Sequence, residues 1–283
     1  MLASILEAAS VKTASFTSPH LLKEQDSIMI RDGRIDGNDV RGGREMNVVS
    51  DHDYKTARYM VDAANTKDIN ASSFESLTAT AFKIFSMLSI DIAVIEVGLG
   101  GTLDATNILP PPLISVLCPI SIDHVGFLGN TVQEIAKHKA GIIKKGSLAC
   151  VIGKQPYQAA FDVLHSIATE LQIPTYLVND AAKDVTEMSN EYSVQVEFPR
   201  NQKLIVHPYL QGIYQLENIA TVCMVCSILV DKNILNITCP ALSFGLATAR
   251  NPGRLEWINT KKYETILLDG AHRLKMLFHQ HFR

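Results

Sequence analysis

Leu2, Ile5, Leu6 and Ala9 recur at helical spacing, and the apolar stretch behind them, residues 11–16, stops at the turn signal Thr17-Ser18-Pro19. The chain is therefore expected to open in mid-helix. Residues 35–73 are polar, contain R-G-G-R and show little periodicity before Tyr59, which predicts a long surface connection. Phe74, Leu77, Ala81, Phe82, Phe85 and Leu88 then mark one helix face, with Ser72 or Ser73 placed to cap it. Residues 91–97, D-I-A-V-I-E-V, are nearly continuous apolar sequence, the pattern of a strand covered on both faces, with Glu96 at its carboxyl end. Residues 113–120 repeat that pattern and end at Ser121-Ile122-Asp123-His124. Thr131-x-x-Glu134 is a capping box for a helix through Lys139, and residues 148–152 are a third apolar strand.

Strands alternating with helices predict an α/β fold with a mainly parallel sheet and helices on both faces. Residues 192–206 alternate and carry Pro199-Arg200-Asn201-Gln202 in their middle, so they predict a hairpin outside that sheet. A helix returns at 215–230. After Asn251-Pro252-Gly253, residues 254–258 and 263–268 read as the first strands of another unit, too short to close a core of its own. The expected division is a main domain over 1–250 and the start of a second over 251–283.

Composition narrows the class. With 283 residues, 47% hydrophobic and 19% charged, the chain is neither collagenous nor disordered. Its 26 basic and 29 acidic residues leave a net charge of -3, so nothing favours nucleic acid or an anionic membrane as partner. The longest apolar run, residues 219–230, is closed by Asp231 and falls short of the roughly 20 residues a spanning helix needs. The amino terminus has no basic region before its apolar stretch, so a secretory signal is not expected and the cytoplasm is. Five cysteines fit a reducing compartment; Cys223 and Cys226 lie in the apolar run without a second pair, as buried helix thiols rather than zinc ligands.

Chemistry should gather at the carboxyl ends of the strands, where open α/β sheets bind ligands. Glu96 and the Asp123-His124 pair both fall there, and V-G-L-G-G after Glu96 lets backbone come close before Asp104, Thr106 and Asn107 are presented. A carboxylate and an imidazole there could hold a divalent metal, while a turn glycine cluster and a hydrogen-bonded histidine explain the same residues. The dinucleotide fingerprint fails for want of its third glycine at Leu103, and no G-x-x-x-x-G-K-[ST] occurs, Gly153-Lys154 being followed by Gln155. Lys137, Lys139, Lys144 and Lys145 taken alone form a solvated face, and N-P-G-R at 251–254 is turn chemistry.

Each of these pieces is weak, but their order is specific. F-T-S-P-H-L at 16–21, F-E-S-L-T at 74–78, I-E-V-G-L-G-G-T-L-D-A-T-N at 95–107, S-I-D-H at 121–124, H-K-A-G-I-I-K at 138–144, N-P-G-R at 251–254 and L-D-G-A-H at 268–272 together resemble the folylpolyglutamate synthase and dihydrofolate synthase family of the Mur ligase superfamily, with fungal-type dihydrofolate synthases nearest. The resemblance implies a monomeric ligase, cytoplasmic with a possible mitochondrial pool. It would use ATP and Mg2+ to phosphorylate the carboxylate of dihydropteroate or a folate, then let the amine of L-glutamate displace phosphate. It implies Glu96 and His124 as magnesium ligands, Lys139 as a carbamylated lysine orienting the second metal, and Ser18, His20, Glu75 and Asp104 on the substrate side. Asn218, Arg254, Asp269 and His272 would contact the nucleotide.

Two departures qualify it. The family's G-T-N-G-K-G-S phosphate loop precedes the helix that residues 1–9 resemble, and the family continues past D-G-A-H-N through a Rossmann-like domain, whereas Arg273 stands here for Asn. The expectation is an impaired ligase, or a non-catalytic remnant that at most binds.

Overall fold

A computed structural model of the chain describes residues 1–31, 46–123, 125–178, 182–183, 192–198, 202–210, 212–254, 256–258 and 266–268. Helix α1 (Leu2–Ala8) leads into strand β1 (Thr13–Phe16), which pairs antiparallel with β2 (Ile28–Ile30); β2 in turn pairs with the two-residue β3 (Asn47–Val48). Helices α2 (Asp51–Ala64) and α3 (Ser73–Met87) follow, and β4 (Ile92–Ile95) returns parallel to β1. The order β3-β2-β1-β4 makes a mixed sheet. Next come β5 (Ile114–Leu117), α4 (Val132–Lys139), β6 (Ala149–Ile152), α5 (Gln158–Glu170) and β7 (Thr175–Leu177), whose strands form a parallel sheet β5-β6-β7. Strands β8 (Ala182–Lys183), β9 (Val194–Glu197) and β10 (Lys203–Val206) make an antiparallel ribbon, with the hairpin where alternation predicts it. Helices α6 (Ile213–Asp231) and α7 (Cys239–Thr248) and the pair β11 (Glu256–Ile258) and β12 (Ile266–Leu268) complete the described chain.

The strands are sandwiched. On one face Ile92 and Val94, Ile114 and Val116, and Ala149 and Val151 join a core with α1, α6, α7 and the ribbon, centred on Ile5, Phe198, Ile219 and Leu242. On the opposite face Ala93 and Ile95 pack with Phe16 against Leu77, Ala81 and Ile84 of α3, while Cys150 and Ile152 pack against Ile135 of α4 and Leu164 of α5. The period of two in the strands thus feeds two different helix layers. No described helix is long and apolar enough to cross a membrane, and Cys223 and Cys226 are buried in α6.

One expectation needs correction and two are refined. The segment 35–73 is not all connection, because α2 occupies 51–64, capped by Ser50, whose Oγ accepts from the Asp53 amide. Its buried residues are only Asp53 and Ala57, too sparse to mark a helical period. The chain also adds β2 and β3 antiparallel to β1, so the first sheet is mixed. Finally, β4 is packed on both faces as expected, but it stays half-buried along its length, since among the described strands it has a neighbour on one side only, as does β5.

Helices α1 and α7 meet closely at Gly245, where an added Cβ would stand 2.5 Å from Ile5 Cα and 2.7 Å from its nitrogen. Backbone cannot swing aside as a side-chain end can. Gly245→Ala is expected to destabilise the fold by about 1–3 kcal/mol in urea unfolding, whereas an unchanged midpoint would show that the two helices part without cost.

Candidate functional site

The carboxyl ends of β1, β4 and β5 open to the same end of the molecule, and their loops carry the side chains that converge. Beyond β1 the chain turns at Ser18, whose amide donates to Glu96 Oε2 at 3.3 Å, while the Glu96 amide donates to the Phe16 carbonyl at 2.8 Å. Glu96 is thereby tied to the first loop by both its backbone and its carboxylate. Glu96 is exposed, yet partial loss of water around its carboxyl pushes it above the usual range, against the pull of the Ser18 amide and the Arg254 charge. Cys118, just past β5, has its thiol pushed up first by lost solvation, then by the Glu96 carboxylate, with Lys139 pulling the other way. One thiol feels both groups. Glu96, Cys118 and Lys139 therefore share a neighbourhood.

Lys139 is the last residue of α4, whose Thr131–Glu134 capping box forms as its sequence predicts. Among the described residues its amine has no hydrogen-bond or ion-pair partner. Lys144 behaves differently, donating to the carbonyls of Asn107 and Leu109. The loop after β4 is pinned onto the end of α4. Thr102 donates its amide to the His138 carbonyl at 2.9 Å, and Asn107 Nδ2 donates to the carbonyls of Thr102 and Gly141, both at 3.1 Å. A Cβ on Gly101 would lie 2.7 Å from the His138 oxygen and 2.8 Å from that of Lys139, so only glycine allows this approach. The glycines after Glu96 serve close packing of protein on protein; at Gly98 the ring of Phe74 occupies the space.

The remaining expected site residues divide by where their polar atoms go. Glu75 closes the capping box of α3, accepting from the Ser72 amide and hydroxyl at 2.7 Å each. Asp104 accepts from the Leu99 amide at 2.8 Å, the Thr106 amide at 2.9 Å and the Thr106 hydroxyl at 2.6 Å, which folds the loop upon itself. His20 is exposed, near the Asp26 carboxylate. Asn218 is exposed on α6 and donates to Gln215 Oε1 at 3.0 Å. Arg254 is exposed, close enough to Glu96 for its charge to act on that carboxyl, and a Cβ on the adjacent Gly253 would stand 3.0 Å from Leu21 Cδ1 of the first loop. His124, Asp269 and His272 lie outside the described residues, as does any distance between Glu96 and His124. The structure brings together Ser18, Glu96, Lys139 and Arg254, and adds Cys118.

Sequence reasoning overlooked Gln155. Its Oε1 accepts from the Ile120 amide at 3.0 Å and its Nε2 donates to the carbonyls of Cys118 at 3.2 Å and Gly153 at 2.9 Å, locking the exit of β5 to that of β6. In sequence it only completes a failed phosphate motif after Gly153-Lys154, and two of its three bonds go to backbone far along the chain, at Ile120 and Cys118, which leaves no local signal. No trio of His, Cys, Asp or Glu able to hold a metal occurs among the described residues. A lone carboxylate such as Glu96 nevertheless suits magnesium, which keeps waters and takes one or two protein carboxylates together with substrate phosphates.

Residues 47–226 match the family model described as the Mur ligase middle domain. The chain belongs to the Mur ligase family. Relatives that match nearly its whole length are named as dihydrofolate and folylpolyglutamate synthases. The chain is 34% identical over 271 residues to the "Probable dihydrofolate synthetase" of Schizosaccharomyces pombe, covering 95% of this chain and 60% of that protein. It is 32% identical over 273 residues to the dihydrofolate synthase/folylpolyglutamate synthase of Bacillus subtilis, with the same shares. The solved apo form of L. casei folylpolyglutamate synthase superposes with a TM-score of 0.80 at 28% identity, covering 96% of this chain and 64% of that one. This member of the family thus spans about three-fifths of the length of the relatives it matches.

Because the Glu96 carboxyl is raised in the folded state, the native protein holds that proton at pH values where the unfolded chain has lost it. Stability on this account is greatest below the ordinary carboxyl value of about 4 and falls as pH rises through the folded value. Glu96→Gln, which keeps an acceptor for the Ser18 amide, is expected to unfold at higher urea than the parent at pH 7 and to match it at pH 3. A gap that widens toward acid would contradict the sign.

Proposed function

We propose that the protein is an ATP-dependent carboxylate–amine ligase that adds L-glutamate to dihydropteroate or to a folate. The observation that carries this reading is the convergence of Glu96, Ser18, Lys139 and Arg254 at the strand ends of a Mur ligase fold. Support comes from relatives named as synthases of this kind and from a similar structure titled as a folylpolyglutamate synthase complex with AMPPCP and folate. In the first step a carboxylate oxygen of the acceptor attacks the γ-phosphorus of ATP and ADP leaves. In the second, the glutamate amine attacks the acyl carbon, phosphate leaves, and the nitrogen loses a proton to give the amide.

Glu96 would hold Mg2+, which supplies charge neutralisation on the phosphates when bound. The Ser18 amide orients that carboxylate, and Arg254 offsets charge on a phosphate oxygen. Lys139, whose amine has no partner among the described residues, would take up carbon dioxide as a carbamate with loss of a proton and, with His124, would serve a second magnesium. Asn218, Asp269 and His272 are assigned to the nucleotide. Glu75 and Asp104, whose carboxylates already hold their own loops, would act on the acceptor by shaping the wall that also carries Ser18 and His20. On this reading residues 1–250 are the central domain and 251–283 begin the glutamate domain, in a cytoplasmic protein.

A second reading, a binding module without catalysis, is favoured by one observation: these 283 residues contain no G-x-x-x-x-G-K-[ST] loop to align the γ-phosphate. Alignment of that kind is worth several kcal/mol. The assay is ATP-dependent incorporation of labelled glutamate into dihydropteroate, by residues 1–283 and by a form extended with a phosphate loop and a complete glutamate domain. Incorporation only by the extended form, falling about a hundredfold or more on Glu96→Ala, is expected. Incorporation by neither would leave the binding module standing and refute the ligase.

A further inference from the structure

Arg254 acts on the Glu96 carboxyl through its charge from a turn between α7 and β11, and something must fix the direction in which the chain leaves α7. The C-terminal residue of that helix is followed by Ala249 in a non-helical conformation, with φ -57° and ψ 125°, so the helix itself does not dictate the exit. Arg250 comes next. Its guanidinium lies 3.4 Å from the centroid of the Tyr209 ring, a close cation–π contact. One of its nitrogens also donates to the carbonyls of Ala247 at 3.2 Å and Ala249 at 3.4 Å, which the end of a helix leaves open. Tyr209 is itself anchored, since its amide donates to the Leu246 carbonyl at 3.2 Å. The side chain of Arg250 is thus held above, by a ring, and below, by the helix end.

The turn beyond it is short and closed. Arg254 donates its amide to the Asn251 carbonyl at 3.1 Å, Gly253 adopts φ +72°, and the Gly253 amide donates to Glu256 Oε2 at 2.8 Å. A turn so constrained transmits the orientation of its first residue to its last. None of the sequence motifs includes Arg250 or Tyr209, and neither has a place in the site described above.

We infer that Arg250, clamped between the Tyr209 ring and the α7 carbonyls, is a positioning residue that holds the Asn251–Arg254 turn so that Arg254 faces Glu96. Its functional half rests on the reading of Arg254 as a phosphate-binding group; its structural half does not. A guanidinium is needed because it can stack flat on a ring and donate edge-on at once, which a lysine ammonium cannot.

The test has two arms on the whole chain. Hydrogen exchange followed by mass spectrometry compares the parent with Arg250→Ala, Tyr209→Leu and Tyr209→Phe. Exchange at residues 251–256 is expected to quicken about tenfold in the first two and to stay at the parent rate in Tyr209→Phe, which keeps the ring. Faster exchange confined to the last turn of α7 would reduce Arg250 to a helix cap and overturn the inference. The second arm measures equilibrium binding of a non-hydrolysable ATP analogue with magnesium. Arg250→Ala should weaken it severalfold in the parent and add nothing to Arg254→Ala, since it acts through that residue; full additivity would overturn the coupling. If residues 1–283 bind no nucleotide, the same comparison is made in the form extended with a phosphate loop, and the exchange arm decides the clamp on its own.

Discussion

Strands β4, β5 and β6 send alternate side chains into different helix layers, and every loop at their carboxyl ends inherits its height from that two-sided burial. In β6 the division is sharpest: Ala149 and Val151 belong to the core with α6, Cys150 and Ile152 to the core with α4 and α5, and all four are buried. A slip of one residue would exchange the faces and set the small Ala149 and Cys150 where the other layer is shaped for its own partners. The register is therefore held from both sides. Phe16 pairs with Ile95 and Leu117 with Ile152 at the ends of their parallel strands, so the first loop leaves one sheet beside Glu96, and Cys118 leaves the other beside the Gly153-Lys154-Gln155 turn.

Above that frame, the site is assembled by backbone rather than by side-chain pairing. The loop after β4 is laid against the end of α4 through Thr102, Asn107 and the bare backbone of Gly101 and Gly141, and Gln155 ties β5's exit to β6's. Such contacts leave charged groups free of fixed partners. Glu96 accepts one amide and stands near one guanidinium, and the Lys139 amine has no described partner. A carboxylate and an amine kept this way retain capacity for a ligand, at some cost in solvation visible in the raised Glu96 carboxyl.

Local chemistry was legible wherever a signal and its structure lie within a few residues. The caps of α3 and α4 form at Ser72 and Thr131 with Glu75 and Glu134 as partners, and the hairpin of β9 and β10 follows its alternation. Helix α2 escaped, although Ser50 and Asp53 have capping spacing, because its exposed faces outweigh its buried one. Strand β4 is covered on both faces as its apolar run predicts, but its open edge was not legible. Apolar sequence says what a strand can bury, not whether a neighbour lies on each edge.

The site shows the same boundary. Glu96 at a strand end and Lys139 at a helix end were placed by period and capping, and the ordered motifs identified the family. That Glu75 and Asp104 spend their carboxylates on their own loops, that Cys118 lies between Glu96 and Lys139, and that Gln155 and Arg250 hold the surrounding turns, only the folded chain decided. The sequence by itself determined elements, order and kinship, because those depend on residues within a turn or two of each other or on motifs in register. Partners across tens of residues depend on how strands and helices dock, and no spacing along the chain encodes which carbonyl a side chain will find there.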